Sequence, residues 1–150
     1  MKKSLMLFSL IAILSITFLL TGCKSYKTVK FQVSNGENVN ATLDTSDGYD
    51  ISAEVPFYVT LNAKKICKGE FIVIDSYDQA LIELKATDDV KIIDKGSRDD
   101  GDFIFYSYND STWGYILKLN HANTSIYLSS DDSKDNVSKC AKLLKFEKTN

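Results

Sequence analysis

Histidine occurs once in this chain of 150 residues, at position 121, tryptophan once, at 113, and proline once, at 56. A single histidine excludes a three-histidine zinc site, and no thiols stand beside it at metal-ligand spacing. It leaves one candidate base for a Ser-His-Asp arrangement, and His121 falls in the polar Asn120 to Asn123 stretch, where a turn residue is expected. Clusters of basic residues are also lacking: 18 Lys+Arg face 20 Asp+Glu. Nucleic-acid binding needs a basic patch, so that class is set aside. Cysteine is limited to Cys23, Cys67 and Cys140.

Charge is also absent from one long stretch. After the basic start Met1-Lys2-Lys3, the 19 residues Ser4 to Gly22 carry none and are rich in Leu, Ile and Phe. A basic start, an apolar run and a small-residue exit describe an export signal. A run of this length can also span a bilayer, and its exit decides between the two. Leu20-Thr21-Gly22-Cys23 resembles the bacterial lipobox, an apolar residue and two small ones before a cysteine. The resemblance implies that the Cys23 thiol receives a diacylglycerol and that a signal peptidase cuts before it. Each buried methylene adds roughly 0.8 kcal/mol of membrane affinity, so two acyl chains hold stably where one does not. The expected protein is a lipoprotein of the cell membrane, facing the extracytoplasmic side.

The expected organisation is a signal peptide over 1–22, a short tether over 23–30 and one domain over 31–150. With Lys2 and Lys3 removed, sixteen basic residues face twenty acidic ones, so the acyl chains alone are expected to hold the membrane. A lipidated Cys23 leaves Cys67 and Cys140 as an even pair in an oxidising compartment. A bridge between them would close a loop of about 74 residues, worth roughly 4 kcal/mol in the chain-entropy view. Two buried free thiols, packed as small hydrophobes, are the alternative.

Alternation dominates the rest. Phe31-Gln32-Val33 and Val39 to Leu43 flank Asn35-Gly36, a tight-turn pair, and predict a hairpin. Tyr49 to Leu61 reads as a strand interrupted at Pro56, which cannot donate to a ladder. Gly69 to Ile74 reads as a strand, and Gln79 to Ala86 as another, half-buried, with Ala80, Ile82, Leu84 and Ala86 on one face. Phe103 to Tyr108, Trp113 to Leu119 and Ser125 to Leu128 form a meander with polar turns, which indicates an antiparallel sheet. After Asp131-Asp132-Ser133, Val137, Cys140, Ala141 and Leu144 follow the i, i+3, i+4, i+7 spacing of an amphipathic helix. The fold class expected is α+β: an antiparallel sheet with one C-terminal helix packed on a face. Val55-Pro56-Phe57, the strands over Phe103 to Leu128 and the helix over Asn136 to Phe146 together resemble the Mog1/PsbP-like fold class. That class has no shared catalytic residues, so the resemblance implies a fold and no chemistry.

The acidic clusters are Asp44/Asp47/Asp50, Asp99/Asp100/Asp102 and Asp131/Asp132/Asp135. None has calcium-loop spacing with a closing glutamate, and aspartate is ordinary turn chemistry. No metal, cofactor or enzymatic activity is expected. Tyr106, Tyr108 and Trp113 are the candidate binding face, for a protein, peptide or glycan partner, since an exposed aromatic strand face can bind one. The leading expectation is a membrane-tethered, non-enzymatic binding or accessory module. A hydrolase using carboxylates of the Asp99 to Asp102 loop and a purely structural envelope component are the alternatives.

The lipid reading has a direct test. Mass spectrometry of the mature N-terminus should find a diacylglyceryl-modified Cys23, and Cys23→Ser should block both processing and lipid attachment. An unmodified Cys23, or normal processing of the serine variant, overturns it.

Overall fold

The Asn35-Gly36 turn closes the first hairpin, with Gly36 at φ +83° and its N–H donating to the Val33 carbonyl at 2.9 Å. That positive φ is the reason glycine suits the position. The computed structural model describes residues 24–149; Cys23 and the apolar segment before it lie outside the described residues. The hairpin strands are β1 (Tyr26–Gln32) and β2 (Asn38–Asp44). The strand therefore begins at Tyr26, inside the stretch expected to be a tether. Among the described residues only Lys24 and Ser25 precede it, and the Ser25 carbonyl is already tied to the Thr45 N–H. The polar run Tyr26-Lys27-Thr28 hides the strand, because an edge strand needs few apolar residues; here Val29 and Phe31 are its buried positions.

The chain continues through β3 (Tyr49–Ile51), β4 (Phe57–Leu61) and β5 (Lys64–Val73). Pro56 lies in the β3–β4 connection, outside both ladders. Helix α1 (Tyr77–Ala86) follows, then β6 (Val90–Arg98), β7 (Gly101–Tyr108), β8 (Thr112–Leu119) and β9 (Thr124–Ser130). Helix α2 (Lys134–Leu143) leads directly into β10 (Leu144–Thr149). One sheet has the order β1-β2-β10 and the other β3-β4-β5-β9-β8-β7-β6, with antiparallel pairing throughout. Among the described residues the fold is thus mostly antiparallel sheet with two α-helices. None of those helices is long and apolar enough to cross a membrane.

Helix α1 corrects the half-buried strand expected over Gln79 to Ala86. Ser76 caps it, its Oγ accepting from the Gln79 N–H at 3.1 Å, and Gln79 bonds Glu83 one turn on. The buried residues are Ala80 and Leu81, while Ile82 is 61 % exposed. The alternating apolar residues are therefore not a face; local capping and good helix formers decide the conformation.

The small sheet lies over the large one, and the core between them centres on four phenylalanines. Phe31 of β1 sits 5.4 Å from Phe57 of β4 and 5.0 Å from Phe71 of β5, ring centre to ring centre, and Phe146 of β10 lies 6.3 Å from Phe57. The Phe57 ring lies over Gly69, its directly opposite partner on β5, where a Cβ would run into the ring. Such pairs let an aromatic ring cover a bare stretch of sheet. Helix α2 joins this core with Val137, Cys140 and Ala141, against β5, β8 and β9. Helix α1 packs on β6 and β7 from the opposite face, with Ala80 and Leu81 against Ile104.

Glu37, just past the first turn, fastens one sheet to the other. Its Oε2 accepts from the Thr124 N–H at 3.0 Å and the Thr124 hydroxyl at 2.7 Å, and its Oε1 from the Asn123 N–H at 3.2 Å. Lys148 of β10 pairs with Oε1 at 2.8 Å, and the Glu37 side chain is 11 % exposed. Lys148 first, then Thr124, Asn123 and Asn35, hold the Glu37 carboxyl far below its ordinary value, against the opposing pull of burial. A depressed folded pKa stabilises the fold above the unfolded value and loses that contribution as pH falls below it. The fold should therefore weaken as pH drops below about 4.5, the group's ordinary value. Glu37→Gln should cost about 2 kcal/mol at neutral pH. It should also flatten the acid limb of the stability curve, read from urea midpoints between neutral pH and pH 3.

Candidate functional site

The two helices cover different parts of opposite faces, and this leaves a groove. Helix α2 lies over β5, β9 and β8, so the β7–β6 end of the same face has no helix above it. Phe103 and Phe105 of β7 and Tyr115 of β8 form its floor. Phe103 and Tyr115 stack at 5.2 Å with 12° between ring planes. Helix α2 makes one wall through Ser138, Ala141 and Lys142, and β10 another through residues 145–148. The groove has a volume of about 1010 Å³ and opens to solvent.

Arg98, the only arginine of the chain, holds the wall to the floor. It stands at the end of β6, and its guanidinium donates to the Ala141 carbonyl at 2.5 Å and the Leu144 carbonyl at 2.6 Å. Both carbonyls belong to the end of α2 or the residue beyond it, where backbone acceptors lack helical partners and a cation is favoured. Arg98 Nε meets Asp100 Oδ1 at 2.5 Å, and Asp100 Oδ2 accepts from the Phe146 N–H at 3.0 Å. The pair is largely buried, with side chains 22 % and 10 % exposed. Burial also pushes the neighbouring Tyr115 hydroxyl above its ordinary pKa, with Arg98 opposing.

This clamp defines the outer edge of β10. The Leu144 carbonyl and the Phe146 N–H both point away from β2, toward Arg98 and Asp100. In an antiparallel ladder alternate residues turn both backbone groups to one side. The Phe146 carbonyl and the Lys148 N–H and carbonyl must therefore point outward too, and they take no backbone partner among the described residues. One half of the β10 edge is closed by the clamp and the other half is open beside the groove.

Tyr106 and Tyr108 do share a face, but Trp113 is not on it. The register pairs Tyr106 with Gly114 and Ser107 with Trp113, and directly opposite residues share a face. Trp113 therefore packs toward the main core, alongside Phe105, while Tyr106 packs beneath α1. Tyr106 lies over Gly114, where a Cβ would stand 2.5 Å from the ring, and burial raises its hydroxyl pKa, as does contact with Tyr127. Tyr108, at the strand end, is 44 % exposed.

The carboxylates of the Asp99 to Asp102 loop are divided. Asp100 is held by Arg98, and Asp102 accepts from the Ser97 hydroxyl at 2.6 Å on the other side of the sheet. Asp94 and Asp99 line the groove. No group of three His, Cys, Asp or Glu that could hold a metal occurs among the described residues. His121 lies at the groove's end at φ +56°, its carbonyl accepting from Lys148 at 3.2 Å. Cys67 and Cys140 meet in the core as thiols, both buried. Cys23 lies outside the described residues. No family model, no curated protein and no solved structure matches this chain.

Arg98 and the open edge were hidden in the sequence. Arg98 bonds residues 43 and 46 positions away, and nothing local marks it beyond its being a lone arginine before two aspartates. Arg98→Ala should cost about 3 kcal/mol, because it leaves a mostly buried carboxylate and two carbonyls without their donor. Arg98→Lys should recover little, since an ammonium cannot reproduce the fork. Denaturant midpoints measure the loss, and faster hydrogen exchange at the Phe146 amide locates it.

Proposed function

We propose that this chain is a membrane-tethered extracytoplasmic lipoprotein, and that its domain is a non-enzymatic module that binds an extended segment of polypeptide in the groove. The observation that carries the binding reading is the half-open edge of β10 beside an aromatic floor. Unpaired strand groups give main-chain hydrogen bonds to an added strand, and neighbouring pockets select its alternate side chains. Here the Phe146 carbonyl and the Lys148 backbone groups would pair with the ligand. Phe103, Phe105 and Tyr115 would take its apolar side chains, and Lys142 with Asp94 would sort its charges.

The tether reading rests on the export signal and on Cys23. A lipid there would leave only Lys24 and Ser25 before β1, about 7 Å of extended chain. The domain would then sit against the bilayer surface rather than on a stalk. In the same reading α2 is the amphipathic C-terminal helix of a Mog1/PsbP-like fold, a likeness that brings no chemistry with it. Asp100 and Asp102 are engaged in structural bonds, which favours binding over hydrolysis at this loop.

A displayed library of randomised seven-residue peptides tests the groove. Peptides enriched on the wild-type domain should lose at least tenfold in affinity on Ser138→Trp, which fills the groove from the α2 wall. They should also shift the Lys148 amide resonance. Absence of any enriched peptide, or equal affinity for the filled variant, rejects the reading.

A further inference from the structure

We propose that Cys67 and Cys140 are joined by a disulfide in the exported protein, bolting the α2 wall of the groove to β5. Cys140 is on the inner face of α2 between Val137 and Ala141, fully buried, and Cys67 on β5 is 3 % exposed. Helix α2 packs on β5, and both thiols belong to the same buried core there, with Cys67 the neighbour that acts most strongly on the Cys140 thiol. Two thiols from distant parts of a chain, packed into one core in a compartment that oxidises thiols, are suited to bridging.

The oxidant is a low-molecular-mass disulfide or a thiol-oxidising protein disulfide. The Cys67 thiolate attacks one sulfur of that donor and expels a thiolate, forming a mixed disulfide. The Cys140 thiolate then attacks the Cys67 sulfur and expels the second donor thiolate. The two cysteine protons end on the two released thiols: the protein pair loses two electrons and the donor disulfide gains them. Contact with Cys67 and burial both make Cys140 reluctant to ionise, so exchange is slow once α2 is docked. The bridge therefore forms as the chain folds, before the helix closes over the pair, and resists reduction afterwards.

The proposal depends on export for its natural oxidant. An oxidising glutathione buffer supplies that oxidant in vitro wherever the protein resides, so failure here leaves the groove reading untouched. The protein is refolded in that buffer, unfolded in guanidinium with iodoacetamide and peptide-mapped. Cys67 and Cys140 should stay unlabelled until reductant is added, then both should label. Reductant should also lower the melting temperature by on the order of 10 °C. Cys67→Ala should fold and lose that dependence on reductant. Labelling of both cysteines without reductant, or a bridge from either to Cys23, overturns the proposal.

Discussion

The ion pair between Arg98 and Asp100 determines how helix α2 and strand β10 sit on the rest of the chain. Helix α2 runs into β10 without a loop, so the helix end and the strand start share one set of backbone groups. The Ala141 and Leu144 carbonyls would be left without acceptable partners at that junction. The guanidinium takes both carbonyls, and the carboxylate beside it takes the Phe146 N–H. A buried charge is costly unless paired and hydrogen-bonded, and here the two charges offset each other, Asp100 Oδ1 by ion-pair contact and Oδ2 by hydrogen bonds. The β6–β7 turn is thereby tied to the helix end, and the groove between them acquires its geometry.

Glu37 performs the complementary task at the other end of β10. It binds the backbone of Asn123 and Thr124 at the start of β9 while pairing with Lys148 near the close of β10. The small sheet is thus held to the large one by apolar packing in the middle and by charged clasps at the ends of β10. The phenylalanine cluster fills the middle of this contact, but apolar contact has no direction. The two carboxylates fix orientation, which a sandwich of unequal sheets needs if one side is to remain open.

Local chemistry was readable where a few adjacent residues decide the outcome. Asn35-Gly36 identified its turn, and Ser133 does cap α2, accepting from the Asp135 and Asn136 N–H groups. The meander over β7, β8 and β9 follows from clean alternation between polar turns. Helix α1 was misread because Ala80, Ile82, Leu84 and Ala86 alternate, although Ser76 and Asp78 already mark a helix start. The tether was misread because a polar edge strand carries little apolar signal. The site depended on register, which sequence does not state: a shift of one residue between β7 and β8 would have put Trp113 beside Tyr106. The groove also depended on which face each helix covers, and that is a property of the assembled sheets.

Edge strands invite pairing with other chains, and the four edges here meet that hazard differently. β3 has three residues, too short to template much. β6 is longer, but it is bulged between Ile92 and Asp94 and carries Lys91, Asp94 and Lys95 exposed. β1 presents Lys27 and Lys30, with Lys27 turned to Asp50 at 2.6 Å. β10 borders the groove with its outer half unpaired, and α2 and the floor lie on either side. A recess of that kind excludes another folded sheet, whose neighbouring strands would collide with the walls. A single extended strand has no such neighbours. In the proposed binding reading, the same walls that protect this edge from aggregation would make it selective for an isolated segment, and they could do so only while Arg98 keeps the helix wall in place.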